Sequence, residues 1–252
     1  MQRTVEQFVS LADRLLPRAV TGFYLVGSAA LGAWRPGRSD IDFVAVLTHD
    51  PGSTRLRLLH GLGNLGAVGS ALRTRDRAIP GTMNGVYLHQ DDLRTPVTRL
   101  RPIASHSGRT FRRGEAFAVN PVDWKTFAEH GIAVRGPEPD TLGLNPEPDT
   151  LVAWNRENLE RYWRPWGERA ARGTLRHNPV WGILGPLRLH RTITTGEVVS
   201  KEDAGRHGLT TFPHRAPMIN AAIADRLGDR TAPLPPLPAV GEFVLEVVDS
   251  LR

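Results

Sequence analysis

The sequence predicts an α/β N-terminal part, a mixed sheet with flanking helices, followed by an all-α C-terminal helical bundle. Three observations carry that reading. In the first half, short apolar runs end in tight turns and alternate with helical stripes; from Leu151 onward only helical spacing remains. Between them lies GPEPDTLGLNPEPDT, residues 136–150, whose prolines and acidic groups break periodicity as a linker does. The chain of 252 residues is long enough for two domains, expected at 1–147 and 148–252.

The elements follow in order. Val5, Phe8, Val9, Ala12, Leu15 and Leu16 form one stripe at helical spacing, and Pro17 ends it. Gly22–Val26 is a short apolar run, followed by Gly27-Ser28 and small residues to Ala33 that suit one or two helical turns. The polar turn Arg35–Ser39 leads into a buried strand over Phe43–Leu47. Thr54–Leu72 reads as a helix, Gly85–His89 as a third strand, Asn120–His130 as a helix and Gly131–Gly136 as a short extended exit. In the second half, helices are expected at 151–172, 180–194, 201–207, 216–227 and 239–251. No repeat of 20–50 residues is visible.

Composition narrows the chemistry. Cysteine is absent, which excludes disulfides, thiolate nucleophiles and cysteine-ligated metals. No run approaches the ~18 apolar residues of a spanning helix, and the opening residues are too polar for a signal peptide, so a cytoplasmic protein without a membrane partner is expected. The net charge of +6 is almost all arginine, Lys125 and Lys201 being the only two lysines. Arginine suits phosphate ligands, but these arginines are dispersed and no aromatics interleave with them, so nucleic acid is not the expected partner.

The chemistry-bearing stretch is Tyr24–Leu47: Gly27-Ser28, eleven further residues, then Asp40-Ile-Asp42 at the head of a strand. Residues i and i+2 of a strand point the same way, so Asp40 and Asp42 present two carboxylates on one face, about 7 Å apart along the backbone. Two hard oxygen donors suit Mg²⁺, which completes its shell with water and substrate phosphate. Gly27 permits close backbone approach to a ligand, and Ser28 offers a hydroxyl at the start of a helix. Each feature alone is commonplace, an Asp-x-Asp turn or a Gly-Ser loop; their combination between two strands, with Ser39 ahead of the first aspartate, favours a metal and phosphate site.

These residues resemble the nucleotidyltransferase superfamily that includes DNA polymerase β and the aminoglycoside nucleotidyltransferases. They look most like the adenylyltransferases that inactivate streptomycin and spectinomycin. The latter similarity rests also on Leu187-Arg-Leu-His-Arg-Thr-Ile-Thr-Thr-Gly-Glu-Val-Val-Ser-Lys-Glu-Asp-Ala204, which is similar to that family's arginine-bearing helix followed by Thr-Gly and Ser-Lys-x-x-Ala, and on Gly131–Pro137. The resemblance implies a nucleotidyltransferase domain followed by a helical domain that binds substrate and nucleotide. It implies that Gly27, Ser28 and Ser39 hold the triphosphate of ATP, that Asp40 and Asp42 ligate Mg²⁺, and that Arg188 and Lys201 contact ATP phosphates across an interdomain cleft. The implied reaction is attack of an acceptor hydroxyl on the α-phosphorus, with pyrophosphate leaving. A monomeric antibiotic-resistance or self-protection enzyme acting on a small molecule is the expectation.

Two departures qualify it. Asn84 stands where the family places a third carboxylate that serves as general base, and an amide accepts no proton at neutral pH. His89, Asp91, Asp92 and Glu115 are the alternative bases, though a lone strand histidine is more often structural and carboxylates so placed are more often solvated loop or cap residues. On the acceptor side, the family's aspartate and histidine become Asn178 and Trp181, and the preceding Arg169–His177 is basic, which suits a nucleoside or other non-polycationic antibiotic over an aminoglycoside. Tyr162, Trp163, Trp166 and Trp181 could stack on a sugar or base or fill the bundle core. Asn84 also supports a second reading, a catalytically lapsed relative that binds nucleotide as a sensor or partner module. A third, nucleotidylation of a protein or tRNA, rests on charge alone.

Overall fold

The computed structural model describes residues 1–66, 81–108, 110–229, 231 and 233–252. They divide into two compact units, Met1–Glu147 and Pro148–Arg252. The first unit is built on helix α1 (Gln2–Leu15), strand β1 (Val20–Leu25), the short helix α2 (Gly27–Ala30), β2 (Ile41–Leu47), α3 (Ser53–Gly63), β3 (Met83–His89), β4 (Ala104–Ser107), β5 (Thr110–Arg113), α4 (Pro121–His130) and β6 (Ile132–Arg135). The expected helix over Thr54–Leu72 is realised as α3, and its residues 67–72 lie outside the described residues.

The strands form one six-stranded sheet in the order β5-β4-β3-β2-β1-β6. Only β2 and β3 run parallel, from Ile41↔Met83 to Leu47↔His89; the other pairs are antiparallel. A central strand in such a layered sheet is buried on both faces, which is why Phe43–Leu47 is a continuous apolar run rather than an alternating one. The period of two sorts its side chains. Phe43, Ala45 and Leu47 join Phe23 and Tyr87 and pack with Val5, Phe8, Leu56 and Leu59 of α1 and α3. Val44 and Val46 join Tyr24, Val86 and Leu88 and pack with Trp124 and Phe127 of α4. The sheet is thus sandwiched between helices.

Helix α4 is capped as its sequence specifies. Asn120 accepts from the amides of Val122 and Asp123, and Pro121 fills the first helical position, where no donor is needed. β6 is fixed to α1 by Arg135, whose guanidinium donates to both oxygens of Asp13 at 2.6 and 2.7 Å and holds that carboxyl below its ordinary range. The hairpin of β4 and β5 has no counterpart in the sequence reading, because each strand has four residues, too few to show a period, and β5 is mostly exposed and charged.

The second unit contains α5 (Leu151–Asn158), a π-helical turn over Leu159–Trp163, α6 (Arg164–Ala171), α7 (Pro179–Thr195), α8 (Lys201–Thr211), α9 (Ala216–Leu227) and α10 (Leu237–Asp249). The π turn lies just before Pro165, which has no amide to donate back to the preceding turn. α6 and α10 approach closely: a β-carbon on Gly241 would lie 2.2 Å from the backbone nitrogen of Ala171. Helices α8 and α9 share a buried ion pair, with Arg226 Nε at 3.2 Å from Glu202 Oε1.

Two predictions follow from this packing. A β-carbon on Gly85 would lie 2.1 Å from the ring of Phe43, which is itself stacked on Phe23 and edge-on to Tyr87. The ring has no room to withdraw, so Gly85→Ala should destabilise the first unit by about 1–3 kcal/mol in chemical denaturation. The second concerns the rings of His60 (α3) and His106 (β4), which stack at 3.9 Å and 1°. Burial lowers both, His106 to about 3, and His60 adds to the lowering of His106. The unfolded chain therefore binds more protons than the folded one below the ordinary histidine value of 6.5, and stability should fall as pH drops from there toward about 3. His106→Phe, which keeps a ring in the stack, should lose less stability between pH 7 and 5 than the parent in urea titrations.

Candidate active site

The carboxylates of Asp40 and Asp42 stand at the head of β2, one just ahead of the strand and one inside it. The parallel register sets Asp42 opposite Asn84, and the Ile41 amide donates to the Thr82 carbonyl at 2.8 Å, so the heads of β2 and β3 lie side by side. Asp40 is held at both oxygens. The Thr82 hydroxyl donates to Oδ1 at 3.0 Å, and Asn84 Nδ2 donates to Oδ2 at 3.1 Å. Thr82 was absent from the sequence reading. Its signal was there: two residues before Asn84, it shares that residue's face.

The turn after β1 closes on the same spot. The Val26 amide donates to the Asp42 carbonyl at 2.9 Å, and Gly27 follows with φ +59. A β-carbon at Gly27 would lie 2.6 Å from Asp42 Oδ2, so this position needs glycine for its backbone conformation and for room beside the carboxylate. Ser28 is half-buried in the first turn of α2. Ser39 is buried, and its hydroxyl accepts the Arg35 amide at 3.1 Å while its carbonyl accepts the Gly81 amide at 2.9 Å. Its visible work is to fix the turn that delivers Asp40.

Asn84 also reaches the β4–β5 hairpin, where the Gly108 amide donates to its Oδ1 at 2.9 Å. The carbonyl of Gly108 is in turn 2.8 Å from His60 Nε2. A carbonyl can only accept, so Nε2 carries the proton, and the bare Nδ1 is met by Asn64 Nδ2 at 3.2 Å. His60 thus commits its Nε2–H to the Gly108 carbonyl.

The alternative bases fall at the opposite end of the sheet. His89 closes β3 opposite Leu47, with Nε2 at 2.9 Å from the Thr48 carbonyl, five residues or roughly 16 Å of strand from Asn84. Asp91 and Asp92 follow it directly. The register Tyr87↔Ala104 and Ala104↔Arg113 carries Glu115 toward that end too, where it pairs with Arg112. None of the four stands beside Asp40 and Asp42.

Among the described residues no group of three or more His, Cys, Asp or Glu converges on a metal position. The pair of hard carboxylates, with a glycine cradle at Asp42, still fits Mg²⁺, which takes one or two protein carboxylates and fills its shell from phosphate and water.

In the second unit, Arg188 (α7) is half-buried and donates through Nε to the Val199 carbonyl at 3.1 Å. Lys201 opens α8 beneath the Ser200 cap, with Nζ 5.0 Å from the centre of the Trp181 ring. Arg188, Lys201 and Trp181 thus occupy one corner of the bundle. Asn178 caps α7, its side chain accepting the Val180 amide at 2.9 Å. Trp163 and Trp166, offered above as stacking surfaces, are 2% and 6% exposed and belong to the bundle core. The reason lies on α7: β-carbons at Gly182 and Gly185 would sit 2.3 and 2.4 Å from the indoles of Trp166 and Trp163, so the two glycines form the slots that receive them. Tyr162 is exposed on the neighbouring surface.

Residues 5–73 match the family described as the nucleotidyltransferase domain, a span that includes Gly27, Ser28, Asp40 and Asp42. No curated protein matches the sequence significantly. Among solved structures, the chain is similar to one described as the spectinomycin adenyltransferase AAD(9) from Enterococcus faecialis with ATP and spectinomycin. The TM-score is 0.72 at 12% identity, over 99% of each chain. Residues 5–73 of the first unit thus carry the nucleotidyltransferase domain match, and the chain as a whole shares the fold of that spectinomycin adenyltransferase.

Proposed function

We propose that this protein transfers the adenylyl group of ATP to a hydroxyl of a small-molecule antibiotic, in a Mg²⁺-dependent reaction. The observation that carries the reading is the pair Asp40 and Asp42 at the head of β2, packed beside the Gly27 turn within a nucleotidyltransferase domain. The ATP and spectinomycin named for the similar structure support both the nucleotide and the class of acceptor.

Mg²⁺ supplies charge neutralisation at the reacting phosphate and alignment of the attacking and leaving oxygens. The residues of the chain prepare that chemistry. Thr82 and Asn84 hold the Asp40 carboxylate, and the Gly27 turn confines Asp42. Gly27 and Ser28 bring backbone amides and a hydroxyl to the triphosphate. The acceptor oxygen bonds to the α-phosphorus as the bond to pyrophosphate breaks. Asn84 cannot take the hydroxyl proton, and the four alternative bases lie at the far end of the sheet. Arg172 and Arg176 are exposed before α7, a cationic surface that favours a neutral or anionic acceptor over a polycation. The position of Asn84 also sustains the second reading, a lapsed relative that binds nucleotide without turning it over.

Incubation with ATP, Mg²⁺ and a panel of aminoglycosides, aminocyclitols and nucleoside antibiotics, read by mass spectrometry, should show one compound gaining one adenylyl mass. Asp42→Ala should reduce that product by roughly a hundredfold or more. ATP binding with no acceptor modified across the panel would favour the lapsed relative. Gly27→Ala places a side chain against Asp42 in a left-handed conformation, a backbone cost of about 1–2 kcal/mol. Its expected signature is a loss of turnover far larger than its shift in melting temperature, measured side by side.

A further inference from the structure

Asn84 is oriented without ambiguity. The Gly108 amide can only donate, so the atom facing it at 2.9 Å is Oδ1, and Nδ2 must face Asp40 Oδ2 at 3.1 Å. Behind this bond stands a continuous series. The Gly108 carbonyl is tied to His60, His60 to Asn64, and Asn64 to both backbone groups of Met83, accepting its amide at 2.6 Å and donating to its carbonyl at 3.2 Å. Met83 is the residue between Thr82 and Asn84, so the series returns to the strand that holds Asp40. An aspartate or glutamate at position 84, ionised, would have no hydrogen to donate and would oppose the Asp40 charge.

We infer that Asn84 is a positioning residue: together with Thr82 it fixes the plane of the Asp40 carboxylate for a divalent cation, and it couples that carboxylate to the β4–β5 hairpin through Gly108. The inference rests on the metal-dependent reading above. In this chain the position facing the aspartate pair serves orientation in place of proton acceptance. Partners that orient a metal ligand through hydrogen bonds govern affinity nearly as directly as the ligand itself.

The test uses the full chain and Mn²⁺ as the probe, followed by electron paramagnetic resonance titration, with melting temperature recorded for every variant. Asn84→Ala and Thr82→Val each remove one donor to Asp40, and each should weaken Mn²⁺ binding about tenfold. A residue that merely anchored the hairpin would lower the melting temperature on Asn84→Ala and leave the Mn²⁺ affinity within twofold of the parent, and that result would overturn the role. A loss of affinity in Thr82→Val alone would overturn it as well. A parent chain that binds no Mn²⁺ would overturn the metal reading itself, a distinguishable failure. A second measurement is independent of the variants: in the ¹⁵N-labelled parent, the Asn84 side-chain amide, assigned by its proximity to the Gly108 amide, should shift on addition of Mg²⁺. An unmoved resonance, with Mg²⁺ bound, would count against the coupling.

Discussion

The parallel ladder between β2 and β3 is the constraint on which the candidate site depends. Its register puts Asp42 opposite Asn84 and joins the Ile41 amide to the Thr82 carbonyl, so four polar side chains, Asp40, Asp42, Thr82 and Asn84, converge where two apolar strands begin. A slip of β2 by one residue would turn the Asp42 side chain toward the aromatic core of Phe23 and Tyr87 and Phe43 away from it. That core makes such a slip expensive, because Phe43 is gripped by Phe8, Phe23 and Tyr87 and closes over Gly85. Packing on one face of the sheet thus fixes the position of the carboxylates on the other.

Glycine does two different jobs in the molecule. At Gly27 the requirement is conformational and steric together, since φ is positive and Asp42 Oδ2 occupies the space of a side chain. At Gly182, Gly185 and Gly241 it is steric, making room for two indoles and for a helix backbone. In the bundle these close approaches replace bulk: Trp163 and Trp166 fill slots on α7, and α6 lies against α10. Trp181, left half-buried, lies beneath Lys201.

The first unit also shows how a polar network is made specific. Asn64, His60, Gly108, Asn84 and Asp40 are linked donor to acceptor, and each link determines the orientation of the next. Burial lowers the His60 imidazole, which suits its role as a neutral donor to the Gly108 carbonyl. The arrangement explains why an amide at position 84 is consistent with an intact site: the residue has partners for both ends.

Local pattern was sufficient for the α/β and helical classes, for the strand of Phe43–Leu47, for α4 with its Asn-Pro cap, and for the helices after Leu151, because periodicity and capping are properties of neighbouring residues. The Gly-Ser and Asp-x-Asp spacing was likewise legible, since i and i+2 on a strand share a face wherever the strand lies. The third strand, read from its apolar run as Gly85–His89, begins two residues earlier because the ladder to Ile41 and Asp42 recruits Met83 and Asn84. The role of Thr82, the distance of His89 and Glu115 from the carboxylates, and the burial of Trp163 and Trp166 depended on sheet register and on helix faces meeting across the bundle. Those are relations between residues far apart in the chain. Residue order alone carries the chemistry a side chain can perform; only the paired strands and packed helices decide which other groups it performs it with.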